Sequence, residues 1–211
     1  SEVVVDKIVF GDWNKGKISS FRVEGLRGSS TTTLGKQTPF KADLFALDGF
    51  DFVRILKATM SAVPGAPPSP DKIGDMLQSI EGIELAGVAF PSPTTGQMLE
   101  VDRLNLKWGS FVNGFPTRAS SALEGTFPLA ANDPSVALLR QAGIPKLQVK
   151  SATSFDWIEG DKTAVAKSDV SVAQLGRLQL DTRLDNVPKQ AFSLAPGQLA
   201  AAVPDFRFSS L

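Results

Sequence analysis

Between Leu147 and Asp185 the chain alternates with a period of two. Leu147, Val149, Thr153, Phe155 and Trp157 occupy odd positions, and most of their neighbours are polar. Glu159-Gly160-Asp161-Lys162 supplies turn chemistry. Ala164, Ala166, Val170 and Val172 then fall on even positions, and beyond Gly176 the residues Leu178, Leu180 and Leu184 alternate with Gln179, Asp181, Arg183 and Asp185. Three such segments in succession predict an antiparallel meander with one wet face. Val3-Val4-Val5 at one end and Phe206-Arg207-Phe208 at the other also read as strands. Both look cut within strand-like sequence, so the expectation is a piece of a longer protein.

Helices are signalled by their ends. Pro134 after Asp133 opens one that Gly143 closes, with Leu138 and Leu139 between. Ser69-Pro70 opens a second, running through Met76 and Leu77 to Gly82, and a third spans Gly197 to Ala202 before Pro204. A helical turn is expected over Phe52 to Met60, followed by a stiff Pro-rich connection from Val63 to Pro70.

These pieces recur. Met76-Leu77, Gly82, Ile83 and Leu85 match Leu138-Leu139, Gly143, Leu147 and Val149, and then Leu199, Pro204, Phe206 and Phe208. Leu47-Asp48-Gly49, Leu123-Glu124-Gly125 and Leu184-Asp185-Asn186 are each expected to end a strand before a helical segment. The resulting picture is a β-rich α+β fold. One elongated domain, residues 1–211, carries a curved antiparallel sheet, with short helices between units of roughly sixty residues. The units would cover about 1–80, 81–143 and 144–211, the last incomplete.

Composition narrows the function classes. The chain has no His and no Cys, which removes the commonest general base, the thiolate nucleophile and the usual zinc ligands. Twenty-two basic residues balance 22 acidic ones, which argues against nucleic acid as a partner. Gly11-Asp12-Trp13-Asn14-Lys15-Gly16-Lys17 has phosphate-loop spacing, but Ile18 stands where Ser or Thr is required and the flanks read as strands. A hairpin turn is the better reading. Asp48, Glu124 and Asp185 share a place in the repeat, so a backbone role at strand ends outweighs a catalytic one. Asp102, Asp156, Asp161 and Asp169 lack calcium-loop spacing. Ser29 to Thr33 and Ser120-Ser121 have no base to activate them and read as solvated positions. Neither a catalytic residue, a metal site nor a cofactor is expected.

Fourteen Phe and three Trp, with no Tyr, supply rings that are mostly free of polar handles. Core packing accounts for many of them. Where short helices leave a curved sheet incompletely covered, Trp13, Phe21, Trp108, Phe111, Phe115, Phe155 and Trp157 would line an apolar groove suited to a lipid.

The Leu-acid-small steps at residues 47–49, 123–125 and 184–186, with the helix-to-strand joints before Leu85, Leu147 and Phe206, resemble the bacterial AsmA-like envelope proteins and related periplasmic β-groove lipid carriers. The resemblance implies a curved β groove with an apolar interior, associated in those families with lipid movement or outer-envelope integrity. The expected function is therefore periplasmic binding or transport of a lipid or other apolar ligand, without a chemical step. The alternative is a structural or assembly module of the envelope that meets protein partners through exposed strand edges. Membrane association would come only through segments outside this chain.

Overall fold

The computed structural model describes residues 3–31, 37–60, 70–92, 96–130, 134–192 and 207–209. One edge of its sheet is a broken strand. β1 (Val3–Val4), β2 (Lys7–Phe10) and β3 (Trp13–Asn14) all pair antiparallel with β4 (Lys17–Thr31) in a single register. Lys15 and Gly16, with φ of 48° and 83°, make the left-handed two-residue turn that a tight hairpin needs. The Gly11 to Lys17 run is thus a hairpin whose flanks are strands.

From β4 onward spatial order follows chain order. β5 (Gln37–Asp51) leads to α1 (Phe52–Met60) and α2 (Pro70–Gln78). Next come β6 (Gly82–Pro91), β7 (Met98–Val112) and β8 (Phe115–Pro128). A 3-10 turn at Pro134–Val136 runs into α3 (Ala137–Gln141). β9 (Lys146–Ile158), β10 (Thr163–Val172) and β11 (Gly176–Asp185) follow, and β12 (Arg207–Ser209) pairs with β11 at the far edge. The result is a single open, curved antiparallel sheet with a few short helices.

The helices expected at 52–60 and after Pro134 are present. The helix opened by Pro70 stops at Gln78 rather than reaching Gly82, because Gly82 is already the buried first residue of β6, closely packed on the Leu106 carbonyl. The expected helix at 197–202 and the connection from Val63 lie outside the described residues. Two of the three Leu-acid-small steps sit inside strands rather than at their ends: β5 runs on to Asp51 and β8 to Pro128. Gly49 interrupts β5 with φ of 63° without ending it, whereas Asn186, at φ 59°, does follow the last residue of β11.

Left-handed glycines account for a regular distortion. Gly25 (φ 66°) and Gly87 (φ 58°) lie on one line across the sheet, with Asp43 between them on β5. The ladder steps from Glu24↔Leu44 to Leu26↔Ala42, and from Ala86↔Arg103 to Val88↔Val101, passing over this line. The line ends at β8, where the register shifts between Val101 and Arg103. Left-handed residues within a strand and register shifts such as this one break its strict alternation. Apolar positions advance by three past the Gly25–Asp43 and Ser19–Gly49 positions and by two elsewhere: Ile18, Phe21, Val23, Leu26 on β4 and Ala42, Phe45, Leu47, Phe50 on β5. A Cβ on Gly25 would collide with the Asp6 carboxylate, and one on Gly87 with that of Asp43, so acidic side chains occupy the room these glycines leave.

The buried core is small and off-centre. Trp157, Ala164, Val187 and Phe192 form it, with Val112, Phe115, Phe155 and Leu184 packed around them. Ile18 and Ala42 on β4 and β5 are buried as well, while most other large apolar residues on this side are half-buried or exposed.

Candidate functional site

Directly opposed residues of paired strands share a face, so the register identifies what lies on each side of the sheet. On the apolar side Ile8, Val23, Phe45, Leu85, Leu104 and Leu123 form one continuous cross-strand row. The row goes on through Ser151 and Val170 to Leu178. A parallel row runs from Phe10 through Phe21, Leu47, Ile83 and Leu106 to Ser121, Thr153, Ser168 and Leu180. Together they make an apolar lane crossing nine strands. At about 4.8 Å per strand spacing its length is roughly 38 Å.

Among the described residues the lane is open to solvent. Its central residues are half-buried, and its ends open further: Phe10 is 63% exposed, Trp13 64%, Leu178 68% and Leu180 58%. Among the described residues short helices stand at both borders of the lane. Asp51 accepts from the Arg54 amide (3.0 Å) and so caps α1, while Arg54 Nη1 donates to Gln78 Oε1 (2.7 Å) and ties α1 to α2. Trp108 Nε1 donates to the Leu77 carbonyl (2.6 Å), fixing the end of α2 against β7. Farther along, a 3-10 turn at Lys189–Ala191 delivers Phe192 onto Phe115, Phe155 and Trp157. At the opposite border Leu129 and Ile144 are buried where β8 and β9 meet α3.

The residues singled out in the sequence divide among these environments. Trp13 and Phe21 lie on the lane, and Phe21 stacks between Phe10 and Phe45 at 5.3 and 6.4 Å. Trp108 stands at the lane's border, its row continuing through Ala119, Phe155 and Ala166. Phe115, Phe155 and Trp157 gather around Phe192. Trp157 is only 6% exposed and donates from Nε1 to the Val187 carbonyl (3.1 Å), so it belongs to packing. Phe111 is set apart: it pairs with Pro116, and alternation turns it away from Val112, the β7 residue that packs on the core cluster. The sequence reading did not place Ile8, Phe45, Leu85, Leu104 or Leu123 on the groove. The three-two-three spacing of apolar residues around Gly or Asp would have found several of them.

The other face is charged. Arg118 meets Asp156 (3.2 Å), Lys150 meets Glu124 (2.5 Å), and Arg103 meets Glu84 (3.6 Å). Arg177 grips Asp169 with two hydrogen bonds, one of them from Nε at 2.8 Å. Those bonds hold the Asp169 carboxyl below the usual carboxylate range and raise Arg177. Asp185 accepts from Arg183 Nε (3.0 Å) and Thr163 Oγ1 (3.2 Å). Glu124 and Asp185 thus engage separate partners. Among the described residues no three acidic side chains converge as a metal site, and no helix is long and apolar enough to cross a membrane.

Comparison with protein-family models, with curated proteins and with solved structures finds no match to this chain.

Proposed function

We propose that this protein binds an amphiphilic or wholly apolar ligand, a lipid by class, along this lane and passes it on without changing it chemically. The observation that carries this reading is the extent of the lane, wholly apolar from β2 to β7 and apolar again at Leu178 and Leu180. Apolar side chains from nine successive strands face one side, while paired charges occupy the other. A folded chain gains by burying such a surface, and contiguous exposed apolar patches beyond a few hundred Å² mark binding sites. The half-buried lane, bordered by short helices at both ends of its strands, suits a flexible hydrocarbon better than the flat, rigid surface of a globular partner. A periplasmic location and kinship with AsmA-like groove proteins fit this proposal, since carriers there must shield acyl chains from water.

Solvent extraction of the purified protein followed by mass spectrometry tests the reading. Co-extracted lipid in reproducible stoichiometry is the expected result. Preparations that carry none and also fail to bind added diphenylhexatriene would sink it. One observation favours a second reading, an assembly module. The edge formed by β1, β2 and β3 exposes Val3, Val4, Ile8 and Phe10 and has no strand beside it among the described residues, so another strand could add there. A stable protein partner recovered from native envelopes without lipid would support that alternative.

A further inference from the structure

The lane is not uniform, and its interruption has a chemistry of its own. From β8 to β10 the second row changes from large apolar residues to Ser121, Thr153 and Ser168, and Ala119 and Ala166 stand in the adjoining row. These short side chains leave a depression of about 410 Å³ in the sheet's apolar face, walled by Leu106, Trp108, Phe155 and Leu180. Ser121 Oγ and Thr153 Oγ1 lie 2.6 Å apart and bond to each other, which leaves one hydroxyl proton and several lone pairs to face a ligand. Lys107 and Lys167 border the same depression, but their cross-strand rows run through Gly82, Ser120, Ser154 and Asp181 on the charged face. The floor therefore offers hydrogen bonds and no charge.

Resting on the lipid-binding reading above, we infer that this depression is the headgroup subsite of the lane, and that its ligand is a lipid with an uncharged, hydrogen-bonding polar part such as a glycerol ester. Lengths agree with this assignment. From the β2 edge to β7 the lane is wholly apolar across four strand spacings, roughly 19 Å. One acyl layer, half of a bilayer's hydrocarbon core, is about 15 Å. An acyl chain laid over Phe10, Phe21, Leu47 and Ile83 would bring its ester and hydroxyls over Ser121 and Thr153. An ionised head would lose its hydration there and find no countercharge, a penalty that a neutral ester or hydroxyl does not carry.

Competition against bound diphenylhexatriene separates the two levels of the claim. The full chain is titrated with hexadecane, 1-palmitoylglycerol and palmitate, beside the Ser121→Val/Thr153→Val variant. Valine keeps the shape and strand preference of threonine while removing the hydroxyls. The expected result is that 1-palmitoylglycerol displaces the dye from the native chain at roughly tenfold lower concentration than hexadecane. In the variant that advantage collapses while dye binding persists. If the advantage survives in the variant, if palmitate outcompetes 1-palmitoylglycerol, or if all three compete equally, the subsite is overturned and the lane stands. Failure of the native chain to bind the dye at all would overturn the lane and the subsite together.

Discussion

At Trp157 the indole ring packs 4.6 Å from the Phe192 ring, and its N–H is spent on the Val187 carbonyl. Trp13 carries the same ring with most of its surface in water. Truncation should separate them. Trp157→Ala is expected to cost about 3–5 kcal/mol in urea unfolding, because it empties the centre of a small core and orphans a buried carbonyl. Trp13→Ala should stay within about 0.5 kcal/mol. Equal losses would mean that the edge hairpin, not the Phe192 cluster, holds the sheet. Asp169 offers a residue-scale test of the charged face. Its folded pKa is depressed, chiefly by the hydrogen bond from Arg177, so its contribution is present above the ordinary carboxylate pKa and fades as pH falls below it. The pair is exposed, so the effect on stability is small. A carbon-detected NMR titration should place the Asp169 midpoint below that of an isolated aspartate, and Arg177→Gln should move it back up. An unchanged midpoint in the variant would show that the ion pair does not form in solution.

At the scale of the element, the strands are long and bent rather than long and flat. β4, β5 and β7 each run 15 residues, and strict alternation over that length would twist the apolar side away from a common plane. The left-handed glycines Gly25 and Gly87 and the register shift beside Asp102 reset it. Gly87→Ala should therefore destabilise by about 1–3 kcal/mol: the left-handed φ disfavours a side chain and the Asp43 carboxylate already fills the space. Pairing Gly87→Ala with Asp43→Ala should recover only the steric part. Thermal unfolding of the single and double variants measures both, and full recovery in the double would deny any backbone contribution. The meander from β9 to β11 was legible in the sequence because no bulge breaks its alternation. Its odd positions on β9 and even positions on β10 and β11 do fall on one face. β4 and β5 were illegible to the same test, since a three-two-three spacing mimics neither a helix nor a regular strand.

For the whole molecule, the arrangement to be explained is an apolar surface held open by a fold that buries little of it. Leu104 and Ala122 lie on adjoining strands, Leu104 in the lane and Ala122 on the charged side between Asn105 and Ala152. Leu104→Glu is expected to abolish diphenylhexatriene binding by placing a carboxylate at the lane's centre, while Ala122→Glu leaves it intact. Both should keep the far-ultraviolet circular dichroism of a β protein. Loss of binding in both variants, or in neither, would separate dye uptake from this face.

The residue pattern alone determined the class of fold: alternation, turn residues and helix-end signals require antiparallel strands punctuated by short helices, because each reports the local geometry of a few neighbouring residues. Composition likewise limited the chemistry, since a side chain that is absent from the chain can take no part. The lane itself was decided only by tertiary structure. Ile8 and Leu178 are 170 positions apart and belong to one surface solely because eight consecutive pairings hold a common register, and the left-handed glycines that keep the apolar residues in phase act through the pairing of neighbouring strands. The glycine positions leave a three-two-three apolar spacing within a strand, but the shared register leaves no mark within any single stretch of sequence.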